Sequence, residues 1–184
     1  MRSVAGDKKL GREVEKLRDR YTYSGAPWNL TAALELRLRQ VKELVQPGTI
    51  NVKYSPGGVV DLEYAVQYFQ ILHGHDAPLL RTPTTLKAVE GLFKTGLISK
   101  AERKRFVDSY FFLRALVDAL RVVRGNAREL ILPDRSSEEF KYLARRMGYL
   151  SPEWEKGARE LEGDIERNMA WAHRFFFRHF GEKS

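Results

Sequence analysis

Apolar residues recur at helical spacing along most of the chain, and Gly, Pro and Ser clusters interrupt them. Asp7 is placed to cap a helix reaching about Arg20, with Leu10, Val14 and Leu17 in register. Tyr21 to Pro27 holds Ser, Gly and Pro and predicts a turn. Thr31 opens a second helix. Leu34, Leu38, Val41 and Val45 form one stripe on it, Arg37, Arg39 and Lys42 fall largely off that stripe, and Gln46-Pro47-Gly48 ends it. Thr49 to Tyr54 alternates as a strand does, the one such stretch in the chain, and with no second strand to pair with it must dock elsewhere or stay extended. Ser55-Pro56-Gly57-Gly58 then leads into a dense apolar run, Val59 to Leu72, expected as a buried helix.

Four more helices follow. Leu86, Val89 and Phe93 mark one between Thr82 and Leu97. Ser99 with Glu102 forms a capping box for a long helix to Arg124, whose core face is Phe106, Tyr110, Leu113, Val117 and Leu120. Ser136 with Glu139 is a second box, for a short helix ending near Gly148. Ser151-Pro152 starts the last helix, which runs to Phe180 with Ile165, Met169, Ala172 and Phe176 on one side. The pattern predicts an all-α protein, a helical bundle of about seven helices with one short extended segment near residues 50–54. Residues 1–184 read as a single helical domain without internal repeats.

Composition narrows the chemistry. With no cysteine, disulfides, thiolate zinc and cysteine nucleophily are excluded. Apolar runs such as Ala115 to Val123 are broken by Asp118 and Arg121, and the N-terminus lacks the apolar run of a signal peptide. A soluble cytoplasmic protein, away from membranes, is the expectation. The net charge of +8 is concentrated: residues 1–46 carry ten basic and six acidic side chains, and residues 99–135 carry nine and five. Such helices either attract an acidic partner or simply solvate their exposed faces.

The densest chemical candidate is Lys53, Gly57, Gly58, Asp61 and Glu63. Two glycines before a helix start allow close backbone approach, and free amides there favour an anion such as a nucleotide phosphate. Asp61 and Glu63, two apart on a helix, project in different directions and do not chelate one metal together. The same string also fits a tight loop whose carboxylates cap the helix and pair with a cation. His73-Gly74-His75 has alternate histidines, but with only Asp76 nearby it lacks the ligands of a metal site, and a polar helix end accounts for it. On the long helix Arg114, Asp118 and Arg121, followed by Arg124 and Arg128, form either an anion-binding row or an ion-pair row in which Asp118 bridges both arginines. Trp171, Phe175, Phe176, Phe177 and Phe180 read as core or as a docking face. No Gly-x-Ser-x-Gly elbow, Walker loop or dinucleotide fingerprint is present.

The stretch Ile50-Asn51-Val52-Lys53-Tyr54-Ser55-Pro56-Gly57-Gly58-Val59-Val60-Asp61-Leu62-Glu63-Tyr64-Ala65-Val66-Gln67-Tyr68 resembles a signature of glutamine synthetase adenylyltransferases. Arg2 to Asp7 is similar to the segment following their nucleotidyltransferase core, and Thr82, Thr85 and Ser109 to Arg114 fit their helical domain. Val60-Asp61-Leu62-Glu63 is closer to the C-terminal, adenylylating half of that family. The resemblance implies AMP transfer from ATP, with Mg²⁺, to a tyrosine of glutamine synthetase, and regulation by glutamine and the PII signal protein. The family's catalytic Gly-Ser and Asp-x-Asp motifs are absent from this chain. The expectation is therefore a helical accessory domain, inactive alone, with no catalytic residue, metal or cofactor of its own. Its implied partners are a catalytic nucleotidyltransferase domain, glutamine synthetase and the PII protein, with the Ile50 to Tyr54 strand lying beside the catalytic sheet. Two readings compete. One is a helical module binding protein or nucleic acid, the latter disfavoured by the interleaving of acids with bases. The other is an independent enzyme using Asp61 and Glu63.

Overall fold

The computed structural model of the chain describes residues 4–126 and 130–180. Arg2, Ser3 and Arg128, singled out in the sequence, lie outside the described residues. Seven α-helices form among the described residues: α1 (Lys8–Thr22), α2 (Leu30–Leu44), α3 (Val59–His73), α4 (Thr85–Lys94), α5 (Lys100–Arg124), α6 (Glu138–Arg146) and α7 (Trp154–Phe180). A 3₁₀ turn at Pro78–Leu80 leads into α4, and the described residues form no sheet. The all-α bundle expected from the pattern is the observed architecture.

Local signals set most helix starts. The Asp7 carboxylate accepts from the Lys9 and Leu10 amides, and Asn29 caps α2 through the Ala32 amide. Ser99 and Glu102 form the full reciprocal capping box on α5. Three starts differ from the sequence reading, the first being α2, which begins at Leu30 behind Asn29 rather than at Thr31. Ser137, not Ser136, caps α6 by accepting from the Phe140 amide, because the Ser136 hydroxyl is held by Asp134. Helix α7 begins at Trp154 rather than at Pro152, since the Lys156 and Gly157 amides both turn back to the Glu153 carbonyl.

Helix α3 is the centre of the molecule and is buried on nearly every side, as its run of Val, Leu, Ala, Tyr and Phe requires. Helix α7 packs along it and also against α5 and α6, while α4 closes the far side of α3 and α5. Phe106, Leu113, Leu116 and Leu120 of α5 meet Leu161, Ile165, Ala172 and Phe176 of α7 in one continuous core. The C-terminal aromatics belong mostly to that core: Phe176 stacks on Phe180, and Trp171 stacks on Phe175, which meets Phe106 edge-on. Phe177 alone among those five is exposed.

The first two helices flank this core. Helix α1 buries no residue, and its Leu10, Val14 and Leu17 stripe faces solvent while Gly11, Glu15 and Arg18 are half-buried. On α2 the inward face holds Leu34, Val41 and Val45 of the expected stripe together with Ala33 and Arg37, which is 2% exposed, while Leu38 faces solvent.

The Thr49 to Tyr54 strand does not form. Asn51 makes one antiparallel bridge with Ile131, flanked by the Val52 amide donating to Leu130 and the Leu132 amide donating to Ile50. The chain then turns at once, because the Asn51 side-chain oxygen accepts from the Lys53 and Tyr54 amides. Ile50 to Val52 therefore has a partner within the chain.

Candidate functional site

The signature string folds into a tight knot at the start of α3. Gly57 sits at φ +78°, and a methyl group there would overlap the Met169 carbonyl of α7. Gly58 has an ordinary φ, but an added Cβ would lie 2.6 Å from the Val52 carbonyl oxygen. The two glycines thus let three backbone segments meet. The α3 amides expected to be free for an anion are engaged: Val59 donates to the Val52 carbonyl and Val60 to the Lys53 carbonyl, each at 3.1 Å.

Asp61 turns inward and is 2% exposed. Its Oδ1 accepts from Arg37 Nε at 2.7 Å, and its Oδ2 accepts from the Gly57 amide at 2.6 Å. Arg37 Nη2 also lies 2.7 Å from Asp61 Oδ1 and donates to the Tyr54 and Ser55 carbonyls at 2.9 and 3.3 Å. His173 of α7 places Nδ1 3.6 Å from Asp61 Oδ2. Two buried ions in direct contact make a clamp joining α2, the glycine loop and α3, in which Arg37 Nε and Nη2 are engaged and Nη1 is buried without a hydrogen-bond partner. Of the two readings left open by the sequence, the capped and ion-paired loop is the arrangement observed at Gly57, Gly58 and Asp61. Arg37 was missed because an arginine on a helix ordinarily reads as solvated; the signal was its position between Ala33, Leu34 and Val41.

Lys53 and Glu63 are directed outward. Lys53 is half-buried, with Nζ 4.8 Å from the centre of the Tyr54 ring. Glu63 Oε1 accepts from the Tyr110 hydroxyl at 3.3 Å and stands 4.0 Å from Arg114 Nη1. Burial pushes the Tyr110 phenol above its usual value, and Glu63 adds to the rise against a hydrogen bond from Thr85. Glu63 and Arg114, separate candidates in the sequence, therefore belong to one cluster. It borders a cleft of about 470 Å³ lined by Thr84, Thr85, Tyr110, Phe111, Arg114 and Asp118.

The expected bridge from Asp118 to both arginines does not form. Asp118 pairs with Arg121 at 3.1 Å, Arg114 turns to Glu63, and Arg124 pairs with Glu139 at 2.7 Å. His73 ends α3 with its ring stacked on Phe69, and His75 Nδ1 lies 3.2 Å from the Tyr23 carbonyl. Among the described residues no three His, Asp or Glu side chains gather as metal ligands. With Asp61 committed to Arg37 and Glu63 facing Tyr110, the residues present do not fit the magnesium ion that the resemblance implies. The arrangement offers hydrogen bonds and charge at a surface rim rather than a nucleophile beside a base. No helix among the described residues is long and apolar enough to cross a membrane.

Comparison with known proteins places this geometry in a family. The family model described as GlnD PII-uridylyltransferase matches residues 31–179. The bifunctional glutamine synthetase adenylyltransferase/adenylyl-removing enzyme of Cutibacterium acnes is 31% identical over 151 residues, 78% of this chain and 15% of its own length. Its namesake from Leifsonia xyli subsp. xyli is 31% identical over 175 residues, covering 90% of this chain and 17% of the relative. That from Streptomyces coelicolor is 30% identical over 152 residues, 79% of this chain and 15% of the relative. The chain thus spans 15–17% of the length of these relatives. With the family model matching most of its residues and these relatives aligning along most of its length, the chain belongs to the glutamine synthetase adenylyltransferase family, in the helical region that the PII-uridylyltransferase model describes.

Proposed function

We propose that this chain is a helical accessory module that positions nucleotide or protein substrate for a separate nucleotidyltransferase domain. The reaction served is transfer of AMP from ATP to a tyrosine of glutamine synthetase. The observation that carries the reading is the alignment of nearly the whole chain with a small fraction of enzymes named for that reaction. In this reading ATP and magnesium are held by the catalytic domain. The glycine loop and the Arg37–Asp61 clamp keep the start of α3 rigid. Lys53 and the Glu63–Tyr110–Arg114 cluster supply the outward-facing charge and hydrogen bonds that contact the substrate or the catalytic domain.

The test is a chimera in which this chain replaces the matching segment of the Streptomyces coelicolor relative. AMP incorporation into glutamine synthetase is then measured for the chimera and for its Lys53→Ala and Glu63→Gln variants. Loss of a charged contact worth about 1.5–3 kcal/mol predicts a rate reduced roughly tenfold to a hundredfold in at least one variant. A chimera as active with both substitutions as without them would refute the positioning role.

A further inference from the structure

Two adjoining clefts of about 650 and 560 Å³ lie where the end of α1 meets α3 and the loop after it. They share Arg20 and Ser24 and so lie side by side as the two ends of one trough. Each cleft by itself is of a size that holds a small molecule. One end is apolar and aromatic, walled by Tyr21, Trp28 and Ile71. The other is cationic, lined by Lys16, Arg20 and Arg81.

The sequence builds this shape with specific contacts. Bare Gly74 lets the Tyr23 ring lie against the backbone, and Arg81 sits 5.5 Å from the centre of that ring. Arg81 is fixed further by donating to the Gly74 and His75 carbonyls at 2.7 and 2.8 Å. Trp28 is backed by Tyr68 and Phe180, at 5.7 and 6.1 Å between ring centres, yet it remains 40% exposed. A rigid indole thus presents open surface beside Tyr21, which is 87% exposed. Among the described residues Lys16 and Arg20 form no ion pair. Asp19, the one carboxylate lining the trough, is already taken by Arg18.

We propose that this trough binds a free mononucleotide, the flat base resting against Trp28 and Tyr21 and the phosphate lying among Lys16, Arg20 and Arg81. The base gains contact with aromatic faces, and the phosphate meets Lys16 and Arg20, which form no ion pair among the described residues, beside an Arg81 already oriented by the Gly74 and His75 carbonyls. This site is distinct from the Glu63 cluster and stands whether or not the chain serves adenylyl transfer.

Isothermal titration of the purified 184-residue chain with AMP, adenosine and inorganic phosphate tests it. AMP is expected to saturate with a Kd below about 1 mM, with adenosine and phosphate each at least about tenfold weaker. Arg20→Ala should weaken AMP binding by about tenfold to a hundredfold, as loss of a charge-assisted hydrogen bond implies. Tyr21→Ala, at an exposed position, should also weaken it while leaving the thermal melt unchanged. The proposal is overturned if AMP fails to bind up to about 10 mM, far above its expected range. It is equally overturned if phosphate alone matches AMP, or if both variants bind AMP as the parent does.

Discussion

Replacing Arg37 with methionine removes the cation from a contact in which Arg37 and Asp61 are each 2% exposed. Asp61 would keep the Gly57 amide and lose the guanidinium that compensates its charge. Removing one partner of a buried pair costs about 3–5 kcal/mol, because the other charge stays behind without compensation. For a domain of this length each kcal/mol moves the melting temperature by about 2–4 °C, so Tm should fall by roughly 6–20 °C. The assay is urea and thermal unfolding followed by circular dichroism. The double variant Arg37→Met with Asp61→Asn separates charge burial from packing, since asparagine still offers an oxygen to the Gly57 amide. It should recover most of the loss, as expected when both charges are withdrawn together. A single-variant cost below about 1 kcal/mol would refute the clamp, placing the pair in the range of exposed ion pairs. Costs that simply add in the double variant would refute it as well.

Other consequences are as definite. Gly57→Ala puts a side chain at φ +78° and against the Met169 carbonyl, and should cost roughly 2–5 kcal/mol by chemical denaturation. A cost within experimental error would show that α7 does not approach the loop as described. Burial alone would raise the Glu102 carboxyl, but hydrogen bonds from the Ser99 amide and hydroxyl and from His179 outweigh it and hold the carboxyl below its usual range. A carboxyl lower in the folded than in the unfolded state stabilises above the unfolded value of about 4.3, and that contribution fades as pH falls through the folded value. The Tm difference between the parent and Glu102→Gln should therefore shrink from pH 7 to pH 3; a constant difference would contradict the cap. Ser109→Ala breaks the buried bond from the Ser109 hydroxyl to the Asn168 side-chain oxygen and should cost about 1–3 kcal/mol, readable in the same melts.

Helix positions were legible because their signals are local. The Ser99–Glu102 box and the apolar run of α3 each act within a few residues, and both elements formed as read. What depended on tertiary partners was not legible. The α1 stripe meets every rule for an inward face, yet its polar side lies toward the body. The alternation from Thr49 to Tyr54 yielded to the Asn51 side chain, which turns the backbone after a single bridge. In the candidate site, Gly57, Gly58 and Asp61 do sit together, as an ion-paired loop, while the arginine that completes it lies a helix earlier. Glu63 and Arg114 were found separately, and only the packing of α3 against α5 joins them.

In the function proposed above, this chain shapes and presents a surface while adenylyl chemistry belongs to another domain. Incubating the purified chain with labelled ATP, Mg²⁺ and glutamine synthetase, and counting label on the synthetase, tests this most directly. The account predicts no label above background from the chain alone and clear transfer by the chimera under the same conditions. Sustained, ATP-dependent labelling by the chain alone would contradict it.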